Sequence, residues 1–117
     1  MIQGIGIDII EIDRIHQLRT RQPRFPEKIL TESELELYLE LKESRKSEYL
    51  AGRFAAKEAF SKAMGTGIGK ELSLQDMEIM VDNNGKPYFR KPHEEGVHLS
   101  ITHSKQFAAA QVVIETV

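Results

Sequence analysis

Residues 2–10, IQGIGIDII, alternate in a period of two: Ile5, Ile7 and Ile9 fall on one side of an extended chain, and Gly4, Gly6, Asp8 and Ile10 on the other. The run reads as a buried strand. A short helix is expected over residues 11–21, after which Pro23 and Pro26 break the chain. Thr31-Glu32-Ser33-Glu34 has the form of a capping box. A second helix therefore starts at Glu32, with Leu35, Tyr38 and Leu39 turned inward. Ser47 is placed to cap a third and longer helix from Glu48 to Met64. Its stripe of Ala55, Ala56, Ala59, Phe60 and Ala63 has helical spacing, Gly52 extends the same face without a side chain, and Gly65 terminates it.

The second half of the chain changes period. MEIMV (77–81) and YFR (88–90) flank the turn Asp82-Asn83-Asn84-Gly85-Lys86-Pro87, in which Asn-Gly is a hairpin signal. VHLSITH (97–103) and FAAAQVVIE (107–115) read as a final strand pair around Ser104-Lys105-Gln106. Helices and strands alternate only loosely, so the expected class is α+β: a mainly antiparallel sheet packed against helices, in a single domain spanning 1–117.

Composition narrows the function classes. With 117 residues, 40% hydrophobic and 29% charged, the chain has the make-up of a soluble globular domain. No apolar run approaches the ~20 residues of a membrane span. The apolar start lacks a basic flank and contains Asp8, unlike a signal peptide. The absence of cysteine excludes a disulfide scaffold and thiolate metal sites, and fits a cytoplasmic protein. A net charge of −2 with few aromatics argues against nucleic-acid binding. Yet Arg14, Arg19, Arg21, Arg24 and Lys28 crowd a segment in which Glu27 is the only acid. A local basic patch on a mildly acidic protein suits a specific acidic partner, or is simply a solvated helix face.

Two acids need explaining. Asp8 sits inside an apolar strand, after two glycines on its own face; it must be paired, hydrogen-bonded or metal-bound. The glycines would leave room for a ligand near the backbone. Glu58 lies off the centre of the alanine stripe, with Phe54, Ser61, Lys62 and Gly65 as neighbours on its side of the helix. It could pair with Lys62 at i,i+4, or join Asp8 in holding Mg²⁺, which rarely receives an all-protein cage. In the second case Lys62 sits beside the metal and stabilises charge on a phosphate. Gly65-Thr66-Gly67-Ile68-Gly69-Lys70 fails as a phosphate loop: its glycine spacing is one residue short, and Glu71 stands where Ser or Thr belongs. A helix cap and loop is the better reading. Among His16, His93, His98 and His103 no pair has zinc-binding spacing. His103, beside a tight turn, reads as a structural histidine or a phosphate or base contact.

Together these pieces resemble the holo-[acyl-carrier-protein] synthases, the small bacterial type of 4′-phosphopantetheinyl transferase. The resemblance runs through GIGIDIIEIDRI (4–15), RFAAKEAFSKAMGTGIG (53–69), NGKP (84–87) and SITHS (100–104), in order. Thr102 stands where the family often has Ser. The resemblance implies transfer of the phosphopantetheine arm of coenzyme A to a serine of apo acyl carrier protein, with adenosine 3′,5′-bisphosphate released. It implies Asp8 and Glu58 as ligands of Mg²⁺, with Mn²⁺ also possible, and Lys62 near the phosphates. Glu58 or a metal-bound water is the candidate base. Arg53, Gly65 and His103 match positions near the nucleotide and its phosphates, and Asn84, Gly85 and Pro87 a loop near the adenosine. The family implies a homotrimer with sites between subunits. It also implies docking of the acidic carrier on the face of Arg14, Leu18 and Arg21, extended by Arg24. The competing reading is a non-catalytic trimeric module that binds a nucleotide or an acidic protein.

Overall fold

A computed structural model describes residues 1–117. The elements follow in the order β1 (Ile2–Glu11), α1 (Ile12–Arg21), α2 (Phe25–Ile29), α3 (Glu32–Glu40), α4 (Glu43–Met64), a 3₁₀ turn (Leu74–Asp76), β2 (Glu78–Val81), β3 (Pro87–Lys91), β4 (Val97–His103) and β5 (Phe107–Glu115). β1, β5 and β4 form an antiparallel sheet in that order, and β2 and β3 form a separate hairpin. The architecture is α+β, as the patterning anticipates. No helix is long and apolar enough to cross a membrane.

The 22-residue α4 organises the rest. Ala55, Ala56, Ala59 and Phe60 are fully buried and meet the inner faces of the sheet and hairpin; Phe60 packs against Phe89 with ring centroids 4.8 Å apart. A second cluster, including Ile15, Ile29, Leu30, Tyr38 and Leu50, joins α1, α2 and α3 to the first half of α4. Gly65 ends the helix at φ +80°, the left-handed conformation that glycine adopts without a Cβ penalty.

Strand β1 is covered on one face only. Gly4 and Gly6 lie against α4 so closely that a Cβ on them would fall 2.0 Å from the Ala63 carbonyl oxygen and 1.8 Å from that of Ala59. The expected space for a ligand is therefore occupied by helix backbone. The opposite face, Ile5, Ile7 and Ile9, is 58%, 64% and 65% exposed. The expectation of a wholly buried strand is corrected: apolar alternation cannot reveal which face the rest of the same chain covers.

Three other expectations change. Pro26 falls in the first turn of α2 rather than breaking the chain, because its missing N–H has no intrahelical partner there. Helix α4 begins at Glu43, and Ser47 lies inside it; Arg19 Nε donates to its hydroxyl at 2.7 Å, and the hydroxyl is also hydrogen-bonded with His16 Nδ1 at 2.9 Å. Tertiary packing supports this first turn without a side-chain cap. Leu39 is exposed, since it follows buried Tyr38 and is rotated from it by about 100° around the helix.

The capping box forms as read, but it does more than cap. Glu34 Oε1 accepts from the Thr31 N–H at 2.8 Å and from Lys57 Nζ at 2.6 Å, and Oε2 accepts from the Ile79 N–H at 2.8 Å. Lys57, wholly buried, also donates to the carbonyls of Ile29 and Leu74 at 2.8 and 3.1 Å. Burial pulls its pKa down, against the opposing pull of Glu34. Removing one member of such a buried pair strands the other charge, typically at about 3–5 kcal/mol. Glu78 joins the network through Thr31 and Arg90, whose hydrogen bonds outweigh burial and hold its carboxyl below the ordinary value.

Candidate active site

From Gly4 to Gly6 along β1 the nearest carbonyl of α4 steps back from Ala63 to Ala59, so strand and helix run antiparallel. Asp8 is the first residue on this strand face, after the two glycines, to carry a side chain. It comes out beside Glu58 and Lys62. Lys62 Nζ lies 3.1 Å from Asp8 Oδ1 and donates to the Ile7 carbonyl at 3.0 Å. The i,i+4 pair with Glu58 is not the one that forms. Asp8 and Glu58 line one cleft of about 350 Å³ with Ile9, Ile10, Glu11, Arg14, Phe54 and Phe107. Burial, reinforced by the Asp8 charge, raises the Glu58 pKa above the usual carboxylate value; Lys62 opposes the rise.

Other predicted positions lie outside this cleft. Arg53 stacks on the Tyr49 ring at 4.3 Å, and its buried Nε has no hydrogen-bond partner. His103 Nε2, at the end of β4, is 3.1 Å from Glu48 Oε1, an ion pair when the imidazole is protonated. Gly65 lies about 18 Å farther along α4 than Arg53, at 1.5 Å per residue. Asn84 and Gly85 (φ +83°) form the exposed hairpin turn, and Pro87 begins β3. The turn is fastened by Asp82 Oδ1, which accepts from the Asn84 and Lys86 N–H groups at 2.8 and 2.9 Å.

The basic segment divides. Arg19 is tied to Glu43 at 2.7 Å and Arg24 to Glu27 at 2.9 Å. Leu18 is half-buried against the second cluster of its own chain. Arg14 and Arg21 are exposed and make no ion pair, and Arg14 stands on the wall of the Asp8–Glu58 cleft. Sequence reasoning found Phe54 as an i−4 neighbour of Glu58 but had no signal for Phe107, which reaches the cleft because β5 pairs it with Glu11. A larger cleft of about 550 Å³ is lined by Asp13, His16, Arg19, Glu43 and Lys105 among others; Arg19 in it is already committed to Glu43 and Ser47.

The chain belongs to the 4′-phosphopantetheinyl transferase superfamily, whose family profile matches residues 4–117. Its relatives place it, within that superfamily, among the holo-[acyl-carrier-protein] synthases. The holo-[acyl-carrier-protein] synthase of Bacillus subtilis (strain 168) is 64% identical over 117 residues, covering 98% of this chain and 97% of that one. The Shouchella clausii (strain KSM-K16) synthase is 59% identical, covering 99% and 100%. The crystal structure of the synthase from Bacillus anthracis str. Ames in complex with CoA (3′,5′-ADP) is 56% identical, with a TM-score of 0.93 over 100% of this chain and 99% of that one. The Helicobacter pylori synthase in complex with coenzyme A is 38% identical, with a TM-score of 0.82 over 95% and 99%. The chain is thus an enzyme of the phosphopantetheinyl transferase class.

Proposed function

We propose that this enzyme transfers the 4′-phosphopantetheine arm of coenzyme A to a serine hydroxyl of apo acyl carrier protein. One observation carries the reading: β1 and α4 bring Asp8 and Glu58 into one cleft, with Lys62 beside them and Arg14 on its wall. The coenzyme A bound in the Bacillus anthracis and Helicobacter pylori relatives supports the donor. The serine oxygen attacks the phosphorus on the pantetheine side of the pyrophosphate. A new O–P bond forms, the bond to the bridging oxygen breaks, and adenosine 3′,5′-bisphosphate leaves with the electron pair. The serine proton passes to a base. Glu58 is a candidate, and its raised pKa brings it closer to the range in which a carboxylate accepts a proton effectively.

Asp8 and Glu58 also fit a divalent cation. Two hard carboxylate donors, with the rest of the shell left to phosphate and water, suit Mg²⁺, and Mn²⁺ accepts the same set. When bound, the ion supplies charge neutralisation at the pyrophosphate as the leaving group departs. Lys62, half-exposed, is in reach to hold charge on the phosphate oxygens. Arg53, Gly65 and His103 are assigned to the nucleotide and its phosphates, and Asn84, Gly85 and Pro87 to the adenosine.

Intact-mass spectrometry of an apo acyl carrier protein incubated with the enzyme and coenzyme A tests the reading. The expected result is a gain of one phosphopantetheine arm with Mg²⁺ and none with EDTA. No gain on any of several carriers, from a folded sample, would leave only a binding module. That module reading gives no purpose to two carboxylates sharing a cleft with a lysine paired to one of them.

The working assembly is a homotrimer with sites shared between subunits. Exposed Ile5, Ile7 and Ile9 form an apolar sheet face that other copies can cover. None of Arg53, Gly65, Asn84 and His103 lines the Asp8–Glu58 cleft of its own chain. Light scattering should return three times the 13.3 kDa chain mass. The compartment is the cytoplasm, supported by the absence of cysteine.

The acidic carrier docks on α1 through Arg14 and Arg21, whose charges are unspent within the chain. Arg24, tied to Glu27, plays a smaller part, and half-buried Leu18 offers a partial apolar contact. Reversing the charge of Arg14 and Arg21 together should raise the carrier KM on the order of 10- to 100-fold, and reversing Arg21 alone, which lies outside the Asp8–Glu58 cleft, should raise it with coenzyme A affinity nearly unchanged. Steady-state kinetics with the carrier varied would expose a wrong assignment as an unaltered KM.

A further inference from the structure

We infer that Tyr49 is a positioning residue for Arg53, setting the plane in which the guanidinium meets a phosphate of bound coenzyme A. The inference rests on the proposed contact between Arg53 and the nucleotide phosphates.

An arginine is ordinarily held by acceptors that match its planar fork. Arg53 has none of this. Its Nε is buried without a hydrogen-bond partner, and no carboxylate pairs with it. Its guanidinium lies instead over the Tyr49 ring, one turn earlier on α4, with the guanidinium carbon 4.3 Å from the ring centroid. The ring is itself anchored. The Tyr49 hydroxyl donates to the Glu34 carbonyl at 3.1 Å, and the ring packs at a tilt against Tyr38, centroids 6.1 Å apart. Glu34 is locked in turn by Lys57 and the Ile79 N–H. The orientation of Arg53 is therefore inherited from the buried network.

A neutral holder has a chemical advantage over an acidic one. Burial pushes the Tyr49 phenol up, although the Arg53 charge works against this, so the ring remains uncharged at neutral pH. The ring attracts the guanidinium through its π face and leaves the full positive charge for an incoming anion. Arg19 shows the contrast: Glu43 at 2.7 Å fixes it and also neutralises it.

Calorimetric titration with coenzyme A tests the inference. Tyr49→Leu and Tyr49→Met, which remove the ring at similar size, should each raise the coenzyme A Kd about fivefold. The coenzyme A KM should rise with it, while kcat at saturation and the carrier KM stay as in the wild type. Tyr49→Phe, which keeps the ring and its packing against Tyr38 but loses the bond to the Glu34 carbonyl, should lose less affinity than the ringless variants. Arg53→Lys, which keeps the charge but not the flat fork, should lose affinity, and Tyr49→Leu should add no loss to Arg53→Ala. Unchanged affinity in Arg53→Lys or in the ringless variants, where Arg53→Ala weakens binding, overturns this inference alone. So does a full additional loss in the Arg53→Ala background, because Tyr49 would then act by another route. Unchanged affinity in Arg53→Ala overturns the phosphate assignment, and the inference with it.

Discussion

Gly6→Ala is expected to destabilise the protein by more than about 4 kcal/mol, a loss reserved for a few structural mechanisms. The added methyl would lie 1.8 Å from the Ala59 carbonyl oxygen and 2.8 Å from the Ala63 amide nitrogen. Both are helix backbone, so no side chain can rotate away. Strand or helix must move, and the alanine core under α4 opens with it. Gly65→Ala is the internal control. It forces an L residue into φ +80° but meets nothing within 4 Å, so its cost should be about 1–2 kcal/mol. Urea unfolding of both variants makes the comparison. A Gly6→Ala midpoint close to that of wild type would mean that strand and helix do not touch as described.

Glu58→Gln is expected to lower transfer on the order of 10³-fold or more, since the proposed cation placement and base function would both depend on the carboxylate. The same substitution should make the fold more stable. The sign follows from linkage. An acid whose pKa is raised on folding is penalised when ionised, so the penalty is present above the folded pKa and disappears as pH falls below the unfolded value of about 4.5. At neutral pH the neutral amide escapes both burial of charge and repulsion by Asp8. The stability difference between Glu58→Gln and wild type should therefore shrink on acidification. Single-turnover mass spectrometry and thermal melts at several pH values check the two halves. Transfer within tenfold of wild type would remove Glu58 from its proposed role, and a less stable variant at neutral pH would contradict the penalty on its buried charge.

Legibility in the sequence followed the range of the interactions. Local devices were readable: the Thr31–Glu34 capping box, the Gly65 cap and the Asn84-Gly85 turn each have their partners within a few residues. Ser47 shows the limit, because its partners His16 and Arg19 come from another helix. So does Glu34, whose cap was plain but whose bonds to Lys57 and Ile79 cross the fold. The tightness of Gly4 and Gly6 was invisible because a glycine does not announce whether its empty side faces ligand or backbone. Asp8 and Glu58 could be matched to family motifs, but no spacing along the chain reveals that β1 and α4 run antiparallel and meet there. Nothing local marks Arg14 as part of the cleft wall, since its place there depends on the turn from β1 into α1.

The glycine seam between β1 and α4 has a consequence for how such an enzyme can diverge. The seam sets the spacing of Asp8 and Glu58 and tolerates almost no mutation. Arg14 and Arg21, a few residues later in the same chain, carry no internal partner and can change at little cost to folding. Selection can therefore rewrite the exposed face of α1 while the geometry of the seam is inherited intact, and related lineages should part company at α1 before they do so anywhere along the seam.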